Sequence, residues 1–293
     1  MPHPALVGLV VIGQIMGEPA PRGAAASPAR VAFPSEPRNI PRTTRLDGVL
    51  YRPPGPGRHP AVVMLHGCGG LWTRARAVQA KPAFWAEHLA ARGYVVLLVD
   101  SFGPRGIDEI CTGRRSLSTE KDRADDARGA LRYLQALPDV RADRVGLLGW
   151  SNGAGAALSV LFDRGDLARD FRAAVAFYPS CLRRYPGGPD YRPYAPLLVL
   201  IGAADDWTPA APCVTWAGRA RALGAPMEIH VYQGAYHSFD APDSPVRYRA
   251  DVRNRSKPGG SGGAHVGTDP AARADAIGRV TRFFGTHLGG AAE

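Results

Sequence analysis

The most chemically suggestive run in this 293-residue chain is Gly149-Trp150-Ser151-Asn152-Gly153. This G-x-S-x-G follows the apolar segment RVGLL directly and opens the small-residue segment AGAALSVLF. A serine hydroxyl becomes a useful nucleophile when a sharp strand-to-helix turn holds it clear of the backbone. Such a turn needs glycine on both sides, where a Cβ would strike neighbouring backbone. With 35 glycines in the chain, the five letters alone carry little; the strand before and the helix after make Ser151 the expected nucleophile. A base and an orienting acid must then reach it. The segment YQGAYHSFD places His237 in a loop past an alternating strand, leaving His265 as a rival. The acid is expected after LLVLI, in GAADDWTP. Its spacing from Gly202 and Pro209 selects Asp205, with the reverse assignment to Asp206 open and a plain helix cap available to either.

Charge that develops on a carbonyl oxygen needs fixed donors. His66-Gly67-Cys68-Gly69-Gly70 follows the apolar run AVVML, and its glycines permit close approach of backbone to substrate. The N–H groups of Cys68 and Asn152 are therefore the expected oxyanion donors, each typically worth about 10² to 10³ in rate. His66 reads as an orienting residue rather than a base. Trp72, Trp150 and Arg105 are candidates to line a substrate pocket, Arg105 having a structural ion pair as the stronger alternative. Phosphate binding fails on the same glycines: the third position of G-x-G-x-x-G is Leu158 in one turn and Trp72 in the other. No cysteine pair has C-x-x-C spacing, and neither metal nor cofactor is expected.

These residues must be positioned by regular elements. The runs at 31–33, 46–51, 61–65, 94–99, 144–148, 173–177 and 197–201 read as strands, most of them apolar enough to be buried on both faces. Pro226 to Tyr232 alternates, as an edge strand does. The clearest helix is expected to start from Ser118 as N-cap, to carry Ala124, Ala127, Leu131 and Leu134 on its stripe, and to stop at Pro138. The last is expected after Asp269-Pro270, presenting Ala274, Ile277, Val280 and Phe284. Alternation of strands and helices predicts a mainly parallel α/β sheet of about eight strands with helices on both faces. The polar, Gly-rich connection 243–267 is long enough to be functional or disordered.

Composition narrows the class. Apolar residues at 45% and charged residues at 21% exclude a disordered chain or a coiled coil. The net charge of +10 comes from arginines scattered singly or in pairs such as Arg114-Arg115 and Arg183-Arg184, so no nucleic-acid partner is expected. The densest basic stretch, Arg247 to Lys257, suits a solvated loop or attraction of an anionic substrate. Residues 5–17 form an apolar run too short to span a bilayer and of the length of a signal-peptide core, followed by Ala24-Ala25-Ala26. A leader over 1–26 and one domain over 27–293 are expected, with export to the periplasm or medium and no stable membrane insertion. The Met-Pro-His-Pro start carries no Lys or Arg, which leaves a retained leader as the alternative.

Together, VAFPSE, LYRP, VVMLHGCGGL, VLLVDSFGPRG, GWSNGAG, FYPSC, LIGAADDWTPAAPC and GAYHSFD resemble the dienelactone hydrolase family of α/β-hydrolases, particularly its exported members, over most of residues 29–288. The resemblance implies Ser151 as nucleophile, His237 as base and Asp205 as its orienting acid, in the α/β-hydrolase order. The founding dienelactone hydrolases carry cysteine where this chain has Ser151, which turns the expectation from dienelactone towards general ester or lactone hydrolysis of small molecules. Thioesterase, polyester depolymerase and peptidase activities share the same triad, and a non-catalytic scaffold is the remaining alternative. In such a fold the strands that precede the cysteines are neighbours, which implies disulfides Cys68–Cys111 and Cys181–Cys213.

Overall fold

Each of the eight runs forms a strand, and the eight make one sheet. The structure is a computed structural model that describes residue 1 and residues 27–38, 42–113, 117–162, 170–182, 190–260 and 262–289. The expected leader and the pairs Arg114-Arg115 and Arg183-Arg184 lie outside the described residues. The strands are β1 (Ala29–Pro34), β2 (Arg45–Tyr51), β3 (His59–Leu65), β4 (Val95–Asp100), β5 (Val140–Trp150), β6 (Ala173–Phe177), β7 (Leu197–Gly202) and β8 (Met227–Tyr232). Their order is β1-β2-β4-β3-β5-β6-β7-β8, antiparallel at β1, β2 and β4 and parallel onwards from β4. Strands β4, β6 and β7 are buried at every residue, as their apolar runs require, with Asp100 the one charged residue at the end of β4, and β8 takes the edge.

Helices α1 (Ala80–Ala90), α2 (Asp122–Gln135), α3 (Asn152–Phe162), α4 (Ala210–Ala222) and α5 (Pro270–Leu288) cover the sheet. The residues of β5 show that they cover both faces. A Cβ on Gly146 would press on Leu288 and Phe284 of α5, whereas one on Gly149, three residues on and so on the opposite face, would strike Gly153 of α3.

Two helix expectations shift. Ser118 does not cap α2; its hydroxyl accepts from the Lys121 N–H at 3.2 Å while the Asp122 carboxylate accepts from the Ser118 N–H at 2.8 Å. This closed turn ends before the helix begins at Asp122. In α5 Asp269 caps as expected, accepting from the Ala272 N–H at 2.9 Å. The buried row, however, is Ala272, Ala276, Val280, Phe284 and Leu288 with Phe283 beside it, and Ala274 faces solvent. A strict i, i+4 row outweighs the mixed spacing read from the sequence. The connection 243–267 is built rather than open: β9 (Arg247–Arg249) pairs with β10 (Ala264–Val266), and Val266 bridges to His237.

Both disulfides are present, Cys68–Cys111 and Cys181–Cys213. The first closes a loop between the ends of neighbouring β3 and β4; the second ties the chain beyond β6 to the first turn of α4. Thiol titration of denatured, unreduced protein is expected to find no free cysteine, and four thiols would contradict the pairing. Loss of the Cys181–Cys213 bond in Cys181→Ser/Cys213→Ser is expected to cost about 2 to 5 kcal/mol of unfolding free energy.

Candidate active site

Strand β5 runs straight into α3, and Ser151 sits at the corner with φ 51°, a conformation that costs a non-glycine residue energy. The surroundings over-determine it. Gly149 and Gly153 each leave no room for a Cβ, the latter lying against the carbonyl oxygens of Leu65 and His66 at the end of β3. The Ser151 N–H bonds to the Phe177 carbonyl at 2.9 Å and its carbonyl accepts from the Gly155 N–H at 2.9 Å. The hydroxyl is thus presented at the carboxyl edge of the sheet, between two cavities.

The two adjacent carboxylates each have their own histidine. Asp205, buried after β7, accepts from the Trp207 and Thr208 N–H groups on Oδ1 at 2.9 and 2.8 Å and holds His237 Nδ1 on Oδ2 at 2.7 Å. The Thr208 hydroxyl lies 2.9 Å from the same oxygen. The contacts from Trp207 and Thr208 fix the carboxylate, which holds the imidazole through Oδ2, and the imidazole is itself buried. Asp206 turns the other way, to His265 Nδ1 at 3.0 Å and the His265 N–H at 2.8 Å. Its carbonyl accepts from Asn254 and Ser256 at 2.7 and 3.1 Å, so Asp206 staples the 250–267 segment to the end of β7.

Ser151 and His237 line one cavity of about 310 Å³, with Lys81, Trp150, Trp207, Arg247 and Arg249 in its wall. A second cavity of about 590 Å³ opens on the other side of Ser151, beside Asn152, Ser180, Leu182 and Arg253. Cys68, Cys111 and Trp207 border both. No hydrogen bond joins the Ser151 hydroxyl to His237 among the described residues. Such bonds commonly tighten only around bound substrate. Cys68 borders both cavities beside Ser151, and Asn152 borders the larger. The Asn152 side chain is occupied elsewhere, donating to Thr119 at 2.7 Å and accepting from Arg123 at 2.7 Å, and as the first residue of α3 its backbone N–H has no intrahelical partner. Arg123 is fully buried, its pKa lowered to about 10, first by burial, and it remains a cation beneath Asn152.

His66 is the orienting residue expected. The Ser101 N–H donates to its Nε2 at 3.3 Å, so Nδ1 carries the proton and gives it to the Gly67 carbonyl at 2.7 Å. Burial, and next the charge of Arg123, hold its pKa well below 6.5. Of the pocket candidates, Trp150 lines the smaller cavity while its indole N–H donates to Asp240 at 2.8 Å. Trp72 and Arg105 line neither cavity. The Trp72 indole donates to Asp100 at 2.6 Å, and Arg105 grips Asp126 through both terminal nitrogens at 2.7 and 2.9 Å, the structural ion pair that its sequence position also allowed.

Sequence reasoning missed the group beneath His237. Asp240 is wholly buried and accepts from Trp85, Trp150 and Tyr178 at 2.9, 2.8 and 2.6 Å. The Tyr178 ring packs on His237 at 4.4 Å, and its hydroxyl also meets Lys81 Nζ at 2.6 Å. Burial pulls the Lys81 pKa down and pushes that of Tyr178 well up. The members stand up to 159 positions apart in the chain (81 to 240), and no local spacing marks them.

Residues 46–288 match the model of the dienelactone hydrolase family. A Bradyrhizobium protein described as "probable 2-oxo-3-(5-oxofuran-2-ylidene)propanoate lactonase" is 29% identical over 205 residues, covering 65% of this chain and 77% of its own. Human dipeptidyl peptidase 8 is 28% identical over 236 residues, 69% of this chain, which spans only 26% of that longer protein. Among solved structures, the dienelactone hydrolase-like promiscuous phosphotriesterase P91, from metagenomic libraries, superposes with a TM-score of 0.65 at 20% identity, covering 90% of this chain and 100% of its own. Thermogutta terrifontis esterase 2 gives 0.60 at 18% identity, covering 89% and 97%. At these identities the structural likeness speaks for the fold.

Two outcomes follow from this geometry. Asp205→Asn is expected to lower kcat about 10³- to 10⁴-fold by disturbing the imidazole tautomer, while Asp206→Asn keeps turnover within about tenfold and loosens the 250–267 segment to proteolysis. Equal losses in kcat would contradict the division of roles. For His66, a folded pKa below the unfolded 6.5 leaves stability unaffected above that value and makes it fall as pH drops below it, by up to about 1.4 kcal/mol per pH unit. Urea unfolding of the parent and His66→Gln is therefore expected to show their stability gap narrowing from pH 7.5 to 5.5; a constant gap would show that His66 charges equally in both states.

Proposed function

Since the chain belongs to the dienelactone hydrolase family and is a carboxylic ester hydrolase, we propose that it cleaves small esters or lactones through an acyl-enzyme on Ser151, with His237 as base and Asp205 as its orienting acid. The observation that carries this reading is a strained serine sharing a cavity with an imidazole whose far nitrogen is held by a buried carboxylate. His237 takes the hydroxyl proton on Nε2 as Oγ attacks the carbonyl carbon, and the imidazolium that forms is stabilised by Asp205. The oxygen that becomes negative is met by the Cys68 and Asn152 N–H groups, backbone donors of the kind that stabilise a developing oxyanion. Collapse of the tetrahedral species breaks the carbon–oxygen bond, His237 returns the proton to the leaving alcohol, and water repeats the sequence on the acyl-enzyme.

The wall beside His237 carries Lys81, Arg247 and Arg249 and no carboxylate; Arg249 is paired with Asp251 and Lys81 lies 3.9 Å from Asp240, so Arg247 is the main positive charge that favours a substrate bearing negative charge. The Bradyrhizobium relative, a lactonase named for a propanoate, supports the same choice. Two disulfides support maturation in an oxidising compartment and hence export. Among the described residues no helix is long and apolar enough to cross a membrane.

Hydrolysis of a short-chain nitrophenyl ester by the parent is expected to fall at least about 10⁴-fold in Ser151→Ala, with the fold retained. An ester carrying a free carboxylate is expected to show higher kcat/KM than its neutral isostere, an advantage that shrinks with added salt. A parent no faster than Ser151→Ala across esters, lactones and thioesters would overturn the reading.

A further inference from the structure

Cys68 serves two ends at once. Its N–H is an oxyanion donor in the hydrolase reading above, on which this inference rests, and its Sγ is bonded to Cys111, 43 residues along the chain. We propose that Cys111 is a positioning residue for catalysis: through the disulfide it fixes the Cys68 N–H on the developing oxyanion, so that opening this one bond lowers turnover.

The need for such a device lies in the loop itself. At the nucleophile corner, Gly149 and Gly153 are jammed against backbone and the geometry is enforced by contact. Around Cys68 the opposite holds. A Cβ on Gly67 would find its nearest neighbour at 3.5 Å and one on Gly69 at 3.7 Å, so no steric clamp fixes the two residues that flank the donor. Glycines are also the residues with most conformational freedom to lose. Within the loop the Gly67 carbonyl accepts from His66 Nδ1 at 2.7 Å and from the Gly70 N–H at 3.4 Å. Cys68 and the glycines after it are tied from outside by three contacts: the disulfide, the Ile110 N–H donating to the Cys68 carbonyl at 2.8 Å, and Gln79 Nε2 donating to the Gly69 and Gly70 carbonyls at 2.9 and 3.1 Å. Two of these three ties run to residues 110 and 111.

Cys111 is in turn held from the far side of the site. Its carbonyl accepts from the Arg253 N–H at 2.9 Å, and the Arg253 carbonyl accepts from the Trp207 indole at 3.1 Å. The Trp207 ring lies 4.8 Å from that of His237. The bond thus joins the oxyanion side of the serine to the imidazole side, and both sulfur-bearing residues border both cavities. With Phe102, Ile110, Leu117, Val252 and Ala264 they form a small apolar cluster apart from the main core. Cys181 and Cys213, by contrast, are part of the main core, where a cross-link acts on stability.

Removal of a whole oxyanion donor costs about 10² to 10³ in rate. A displaced donor is expected to cost part of that, about ten- to a hundredfold in kcat.

The test uses Cys111→Ser and Cys68→Ser/Cys111→Ser, both of which keep the backbone N–H at residue 68. Steady-state kcat and KM on a short-chain nitrophenyl ester are measured well below the melting temperature, beside inhibition by a trifluoromethyl ketone, which forms an oxyanion on the serine. Expected are a ten- to hundredfold fall in kcat, KM within about threefold, and a parallel loss of ketone affinity. Cys181→Ser/Cys213→Ser is expected to melt lower with kcat within twofold. Should the Cys111 variants fail to fold, Cys181→Ser/Cys213→Ser supplies the readout, since Cys68–Cys111 is its remaining disulfide. A dithiol opens that bond by exchange, leaving two protein thiols and its own cyclic disulfide, and activity is expected to fall as two thiols appear and to return on reoxidation. Unchanged kcat in folded protein with the bond open, or a loss confined to KM, would overturn the proposal while Ser151→Ala remains inactive. A parent no faster than Ser151→Ala would instead overturn the hydrolase reading beneath it.

Discussion

The site depends on a single backbone corner. A serine held at positive φ persists only where its surroundings leave it no alternative, and here the carbonyls of Leu65, His66 and Gly153 leave space for hydrogen alone on Gly149 and Gly153. That crowding ties three neighbouring elements, β3, β5 and α3, into one rigid edge. The Phe177 carbonyl at the end of β6 completes it by taking the Ser151 N–H. Everything else in the site is delivered to this corner by loops that leave the same edge of the sheet, as open parallel sheets generally arrange their ligands.

Those loops are fixed by polar contacts together with the Cys68–Cys111 bond and the small apolar cluster around it. Asp205 and Asp206 divide the work at the end of β7, one carboxylate orienting the imidazole inside and the other holding the 250–267 segment outside. Asp240 anchors the shelf on which His237 rests, drawing donors from α1, β5 and the turn after β6. Tyr178 has positive φ at 40°, as does Ser238 at 64°, so strain gathers around the imidazole as it does around the serine. Such strain is tolerable because each residue also lies in a dense hydrogen-bond network.

The strands were legible because β6 and β7, and β4 up to its closing Asp100, are apolar without interruption and β8 alternates, two patterns with distinct physical causes. Ser151 was legible because its glycines are a steric demand that leaves letters in the sequence. Spacing favoured Asp205 over Asp206 but left the reverse open, because both follow the same strand and the division rests on which side of the turn each histidine lies. Ser118 misled because a serine that closes a turn and one that caps a helix look alike until the first helical hydrogen bond is placed. The Lys81, Tyr178 and Asp240 group left no trace, since long-range polar contacts carry no periodicity. Arg105 shows the converse: a sequence position near the site edge does not decide direction, and its guanidinium turns to Asp126.

The central claim is that the strained hydroxyl is the nucleophile. Intact mass and peptide mapping after exposure to one equivalent of an organophosphonate ester measure this most directly. A single covalent adduct on the peptide that carries Ser151, absent from Ser151→Ala, is the predicted result. Modification of another residue, or equal labelling of the variant, would contradict it.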